Sequence, residues 1–348
     1  MTRRIAVAAL VLGLSIGLAL APAAQDAPQV IRVPTDAADL PEAIGNVAEG
    51  GTVLVAAGTW QANLTINKSL TIRGIGANSN DVEINASTQG CPVALIRSSA
   101  SRPIDVQLAN MTLRGASSGS CRDDLSGATE GDGVGVLGNA NVTLSDVAVT
   151  GNTNDGLHAQ DETFVTAINT AFRDNGDAGL LALDDATIDA FRSDFSNNET
   201  QGLGTSSSNP VSVANSTITD NSQNGLIAIF SASVRILDTD LSNNGNHGLF
   251  LRGFSTGRVL GATLSGNAGH GVSLEGSATA ELYRNTVESN QGSGVLAHRE
   301  ACVDSFSADD AFDGSIEGSG NDIDGNGDTN VCPADLEFLT ESTAFDGS

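Results

Sequence analysis

The sequence predicts an all-β solenoid. Its coils are 23 residues long, with three short strands in each, about ten coils in all and a short helix closing the N-terminal end. Three observations predict this. Glycines that precede an aliphatic residue fall at Gly133, Gly156, Gly179, Gly202, Gly225, Gly248, Gly271 and Gly294, every step 23 residues. The residue that follows is aliphatic each time: Val134, Leu157, Leu180, Leu203, Leu226, Leu249, Val272 and Val295. Further along each period come alternating pairs such as Val142/Leu144, Ile188/Ala190 and Val234/Ile236, the pattern of a strand with one face inside. A third inward column runs through Val149, Phe172, Phe195, Ile218, Leu241, Leu264 and Val287, so each period holds three strands and the coil is triangular.

The corners follow from the same alignment. Between the second and third strands stand Asp146, Asn169, Arg192, Asn215, Asp238, Gly261 and Arg284, mostly residues that tolerate a left-handed bend. Another column is asparagine throughout: Asn152, Asn175, Asn198, Asn221, Asn244, Asn267 and Asn290. Coils stacked at the interstrand spacing of ~4.8 Å let such amides bond along the axis.

From the N-terminus, Arg3 and Arg4, the run "IAVAALVLGLSIGLALA" and Ala21-Pro22-Ala23 read as a signal peptide over residues 1–23. Residues 24–348 then form one domain. In a cap at about 36–50, Leu40, Ala43, Ile44 and Val47 recur at helical spacing and plug the open core, because a solenoid needs caps. Regular coils run from about 51 to 315, interrupted by an insertion at 115–132. An irregular tail occupies 316–348, and its "DLEFLTESTAF" folds back over the final coils. Export makes disulfides plausible for Cys91, Cys121, Cys302 and Cys332, and the local pairs 91–121 and 302–332 enclose segments of similar length. These are favoured over the two crossed pairings.

Together these features resemble the right-handed parallel β-helix of the pectin-lyase-like superfamily, across nearly all of the mature chain. "GGTVLVAAGTWQANLTINKSLTIRGIG" is similar to the opening coil of many such proteins. The resemblance implies activity on, or binding of, polysaccharide. Polygalacturonases, a branch of this superfamily, carry Asn-Thr-Asp-Gly, Asp-Asp and Gly-His-Gly on neighbouring coils and a later Arg-Ile-Lys. Here "NTNDG" at 152–156 has an extra Asn, Gly269-His270-Gly271 lies more than three coils beyond Asp184-Asp185, and Arg-Ile-Lys is absent. That family's catalytic roles are therefore not carried over.

Charge narrows the partners. Lys and Arg number 16 against 42 Asp and Glu, a net charge of −26, which disfavours nucleic acid and anionic lipid. An acidic polysaccharide could be held only through bridging Ca²⁺ or a local arginine cluster. No second apolar segment reaches spanning length, so no stable membrane span is expected after signal cleavage, and the chain is expected to be a monomer.

Three clusters carry candidate chemistry. Asp161 and Asp184 share a repeat position, as do Glu162 and Asp185, so four carboxylates stack on the turn after the first strand, with His158 pointing outward just before it. Superfamily enzymes often place catalytic carboxylates or calcium ligands on this face; a solvated acidic turn is the plainer account. His247 and His270 share the position before the repeat glycine, within reach of one transition metal ion. A periplasmic branch of the superfamily tied to copper-site assembly in nitrous-oxide reductase resembles the chain in repeat architecture. A tolerant polar turn explains the same histidines. Asp322, Asp324, Asn326 and Asp328 fit the first half of a calcium loop, but Pro333 stands where the bidentate Glu is needed. Last, the outward column Leu181, Gly204, Ile227, Phe250, Ser273 and Leu296 is apolar, and the C-terminal tail is expected to cover it.

The leading functional reading is a secreted or periplasmic rod that binds polysaccharide or presents a surface, without obvious catalysis. The alternatives are a polysaccharide lyase or glycoside hydrolase using Asp161, Glu162, Asp184 and Asp185 with calcium, and a metal-handling accessory protein. No cofactor is assigned; calcium is a candidate.

Overall fold

The computed structural model describes residues 27–99, 101–119, 121, 130–303, 307–308 and 310–340; the expected signal peptide lies outside them. The strands stack in three parallel ladders. One ladder is an 11-stranded sheet from Leu64–Ile66 to Val331–Cys332. Its register repeats once per coil: Leu157 opposite Leu180, Leu180 opposite Leu203, Leu203 opposite Leu226. The second ladder passes through Phe164–Ile168, Thr187–Phe191, Pro210–Ala214 and Ser233–Leu237. The third passes through Ala171–Arg173, Asp194–Ser196 and Thr217–Thr219. The three inward columns form one continuous core, in which Phe172 and Phe195 stack with ring centroids 5.1 Å apart.

The corners are as the sequence requires. Asp146, Asn169, Arg192, Asn215, Asp238, Gly261 and Arg284 all have φ between 46° and 65°. Here the backbone takes the left-handed bend even where arginine must adopt it, so position overrides preference. The repeat glycine has a different cause. A Cβ on Gly202 would meet Ile218 Cγ2 at 2.4 Å and the amide of Asn221 at 2.7 Å; on Gly225 it would meet the Gly248 carbonyl at 2.6 Å. The column is glycine because the next coil's carbonyl and the asparagine ladder fill the space a side chain would need.

That ladder is continuous. Each asparagine Nδ2 donates to the Oδ1 of the next, as in Asn198 to Asn221 at 2.9 Å and Asn221 to Asn244 at 3.0 Å, a step of 23 residues. Each Oδ1 also accepts the backbone N–H of the rung before it. A second polar ladder, of hydroxyls, occupies another corner: Ser193 N donates to Ser216 Oγ at 3.0 Å, and Asn285 and Asn321 take over at its far end.

Helix α1, Leu40–Asn46, closes the N-terminal end with Leu40, Ala43 and Ile44 buried. Asp39 caps it by accepting from the Glu42 N–H at 2.8 Å. A strand, Val30–Val33, precedes the helix and pairs with Gly51–Val55, so the first ladder strand lies ahead of the cap. Both disulfides join the expected partners, Cys91 with Cys121 and Cys302 with Cys332.

Two expectations about the C-terminus need correction. Residues from 316 are not an irregular tail: Ser315–Ser319, Asp322–Asp324 and Val331–Cys332 add a full coil, with Ile323 in the core and a step of 36 residues from the coil before. The extra length is an insertion between strands, which hid the period. Nor does the described tail cover the outward apolar column. The 3-10 helix Ala334–Thr340 packs on the last coil and buries Leu336 and Leu339 against the core. The open end of the solenoid exposes more apolar surface than one outward column and takes the tail first.

Candidate functional site

The acidic turn is assembled as expected. Asp161, Glu162, Asp184 and Asp185 line one shallow hollow of about 450 Å³ with Gly138 and Asn139 of the preceding coil. Asp161 and Asp184 have φ of 66° and 55°, so the turn itself selects residues that tolerate the left-handed region. Several of these carboxylates already hold bonds within the scaffold. Asp161 Oδ2 accepts the Gly138 N–H at 2.9 Å, Glu162 accepts from Asn139 at 3.4 Å, and Asp185 accepts from the Ser208 hydroxyl. The same ridge continues through Phe230 and Phe254, 68% and 71% exposed.

The histidine pair is also brought together. The rings of His247 and His270 stack with centroids 5.0 Å apart. Their Nδ1 atoms are occupied, however. His247 Nδ1 accepts the His270 N–H at 3.0 Å, and His270 Nδ1 accepts the Ser293 N–H at 2.8 Å. One coil earlier, Asn224 Oδ1 accepts the His247 N–H at 3.2 Å. On these three coils the position before the repeat glycine supplies an acceptor for the next coil's backbone. Burial first, then the neighbouring His270, pushes His247 down to about 3; burial also lowers His270. Both rings are held neutral, with the proton on Nε2.

The calcium-loop pattern resolves into the repeat. Asp322 and Asp324 are outward residues of a ladder strand, and Asn326 is the next rung after Asn290. Its Oδ1 accepts both the backbone N–H and the side-chain amide of Asn290, at 3.2 and 2.8 Å. Asp328 lies beyond it, close enough to His270 to raise that ring's proton affinity. The spacing D-x-D-x-N-G arises from a strand followed by a ladder asparagine.

One cluster escaped the sequence reading. His158 was expected to point outward, and it does lie on the outer face of its strand, but it is only 5% exposed. Its Nδ1 is 3.7 Å from Asp132 Oδ2 and 3.5 Å from Asp155 Oδ2, with both carboxylates buried. Asp132 Oδ1 accepts the Asp155 N–H at 3.0 Å and the Asn154 amide at 2.6 Å; Asp155 Oδ1 accepts the Ala178 N–H at 3.0 Å. Among the described residues, Asp132 Oδ2 and both ring nitrogens of His158 have no hydrogen-bond partner. Burial, and secondarily the Asp155 charge, pushes Asp132 up to about 8. Burial likewise raises Asp155. Burial alone would lower His158, but Asp155 and Asp132 together outweigh it and raise the ring. A signal existed in the sequence: Asp132 lies one period before Asp155, at the end of the insertion.

The arginines give the remaining feature. On the second ladder, Arg235 and Arg258 stand in register on adjacent strands, both exposed. With Ser233, Thr256, Thr279 and Glu281 they line a concavity of about 590 Å³. Arg258 pairs with Glu281 at 3.3 Å, whereas Arg235 makes no ion pair among the described residues. Leu237, Leu260 and Tyr283 run beside them in register. Arg173 and Arg192 do not face the acidic turn; Arg192 lies over the Phe191 ring at 4.6 Å.

A family model described as "right handed beta helix region" matches residues 163–305. No curated protein sequence matches the chain. Among solved structures, the chain is similar to the A-module of the Azotobacter vinelandii mannuronan C-5 epimerase AlgE6, at 18% identity over 81% of each chain and a TM-score of 0.61. It is similar to ORF18 of Geobacillus virus E2 at 16% identity and a TM-score of 0.59; 74% of this chain is covered, and it spans about half (54%) of the viral one. The Azotobacter vinelandii AlgE4 A-module follows at 16% identity, 71% of this chain, 89% of that chain and a TM-score of 0.50. At these identities the likeness is one of fold.

Proposed function

We propose, from the premise that this chain is a right-handed parallel β-helix of the pectin-lyase-like superfamily, that it is an exported rod that binds an acidic polysaccharide on the face around Arg235 and Arg258. The single observation that carries this reading is the register of those two arginines. Like charges directly opposite on neighbouring strands destabilise a sheet. Here they sit together on a chain of net charge −26, where carboxylate partners abound, and Arg235 makes no ion pair among the described residues. A uronate carboxylate bridging two guanidinium groups relieves the repulsion through charge-assisted bonds. Ser233, Thr256 and Thr279 offer hydroxyls to the sugar, and Leu237, Leu260 and Tyr283 an apolar strip for its ring faces. The two disulfides fit an extracellular or periplasmic setting.

Calorimetry with mannuronan, polygalacturonate and a neutral glucan, in chelator and at two salt concentrations, tests it. The polyuronates bind, more weakly at high salt, and the glucan does not. Arg235→Ala with Arg258→Ala weakens binding at least about tenfold, since each charge-assisted bond contributes roughly 1.5–3 kcal/mol. Unchanged affinity in the double variant would overturn the reading.

The gathering of Asp161, Glu162, Asp184 and Asp185 around one hollow favours a second reading, a calcium-assisted lyase or hydrolase. The same polyuronates, incubated with calcium and assayed for unsaturated products and reducing ends, decide it. No turnover sinks that reading and leaves the binding one intact.

A further inference from the structure

We propose that Asp132, Asp155 and His158 hold one divalent transition-metal ion of the zinc class. Asp132 and Asp155 occupy the same turn position on adjacent coils, and His158 follows Asp155 on the strand Leu157–Ala159. Gly135 and Leu181 flank His158 in register. Each carboxylate is fixed through one oxygen by backbone N–H groups, which turns Oδ2 of both toward the imidazole. That is the outer-shell orientation a metal ligand needs.

The distances favour a coordination site over a hydrogen-bonded triad. At 3.7 and 3.5 Å, Nδ1 is too far from either Oδ2 for a hydrogen bond. Two ligand atoms at ~2.0–2.2 Å from a tetrahedral ion are separated by about 3.3–3.6 Å. The three ligand atoms lie within 4.8 Å of one another. Two of them otherwise go unsatisfied: among the described residues, Asp132 Oδ2 and His158 Nδ1 have no hydrogen-bond partner, in residues 0% and 5% exposed. Charge agrees. Two buried carboxylates repel and are costly to ionise; a dication with a neutral imidazole makes the cluster neutral.

The donor set names the ion class. One imidazole nitrogen with two carboxylate oxygens suits zinc-like borderline ions. Calcium takes six to eight oxygens at ~2.3–2.6 Å, whereas the cluster among the described residues offers two carboxylates and an imidazole. Asp132 ends the long insertion whose beginning Cys121 ties to Cys91, so the ion would fasten the other end to the regular coils. The site is independent of the arginine face.

The test uses the full chain, unfolded in chelator and refolded with or without Zn²⁺, then desalted and measured for bound metal. One zinc per chain is expected, with a raised melting temperature. Co²⁺ in its place should give the intense visible absorption of a tetrahedral nitrogen–oxygen site. His158→Gln and Asp132→Asn should each lower affinity about 100-fold. Asp161→Ala with Asp184→Ala should retain the ion. His158→Gln keeps both carboxylates and their backbone bonds, so it carries the test if Asp132→Asn fails to fold by circular dichroism. Refolded wild type without zinc, or full zinc retention in His158→Gln, would overturn the proposal.

Discussion

Asn221→Ala removes one rung from the middle of the asparagine ladder. The side chain is 1% exposed and takes part in four hydrogen bonds. Its Oδ1 accepts the Asn198 N–H at 3.1 Å and the Asn198 amide at 2.9 Å. Its Nδ2 donates to the Phe195 carbonyl at 2.9 Å and to Asn244 Oδ1 at 3.0 Å. At a net ~1 kcal/mol each, the loss is about 4 kcal/mol. Two partners soften it, since the Asn198 amide still donates to the Phe172 carbonyl and Asn244 Oδ1 still accepts the Asn221 N–H. The backbone N–H of Asn198 loses its ladder partner while buried, which adds back about 1–3 kcal/mol. The expected destabilisation is therefore about 3–5 kcal/mol. For a domain of this length each kcal/mol lowers the melting temperature by roughly 2 °C, so a fall of about 6–10 °C is expected. Urea unfolding followed by circular dichroism measures the free energy, and differential scanning calorimetry the temperature. A loss under about 1 kcal/mol would refute the reasoning and make the column a consequence of turn preference alone.

Phe230 has φ of 59° at a turn position filled by Asp161 and Asp184 earlier and by Gly253 and Gly276 later. A bulky residue there costs ~1–3 kcal/mol of backbone strain, so Phe230→Asn should raise stability by about 1 kcal/mol; a lower melting temperature contradicts this. His247 is held neutral in the fold down to about pH 3. Below the unfolded value of ~6.5 the unfolded chain binds the proton first, so stability falls as pH drops, by ~1.4 kcal/mol per unit, or about 2 kcal/mol at pH 5. His247→Asn with His270→Asn keeps an acceptor without a titrating ring. It should flatten the melting-temperature profile between pH 7 and pH 5, and a profile parallel to wild type tells against it.

The scaffold was legible in the sequence because each of its columns answers to one local demand repeated every coil. Gly225 is glycine because a carbonyl and an asparagine amide lie where its Cβ would be, and Asn169 and Asp238 sit at bends where φ must be positive. The last coil was missed because its insertion stretches the step to 36 residues, although Asn321 and Asn326 keep their ladder places. His158 was missed for a different reason. Alternation says which face of a strand a side chain takes, not what covers that face, and Asp132 stands at the end of the insertion, where the columns are hidden.

The turn position before the repeat glycine shows what separates scaffold from site. Asp132, Asp155, Asn224, His247 and His270 each accept a backbone N–H from the following coil, whereas Ala178 in the same column has no side-chain acceptor, so the fold uses an acceptor there where one is present and fixes no residue type. This accounts for Gly269-His270-Gly271 without catalysis: a neutral imidazole has one acceptor nitrogen, and the scaffold uses it. A carboxylate has two oxygens. Where the column is aspartate, one oxygen satisfies the coil and the second faces His158, that of Asp132 buried and without a hydrogen-bond partner among the described residues. Surplus coordinating capacity in a dry, preoriented position is what a binding site requires, and in this column it arises at the aspartates rather than at the histidines.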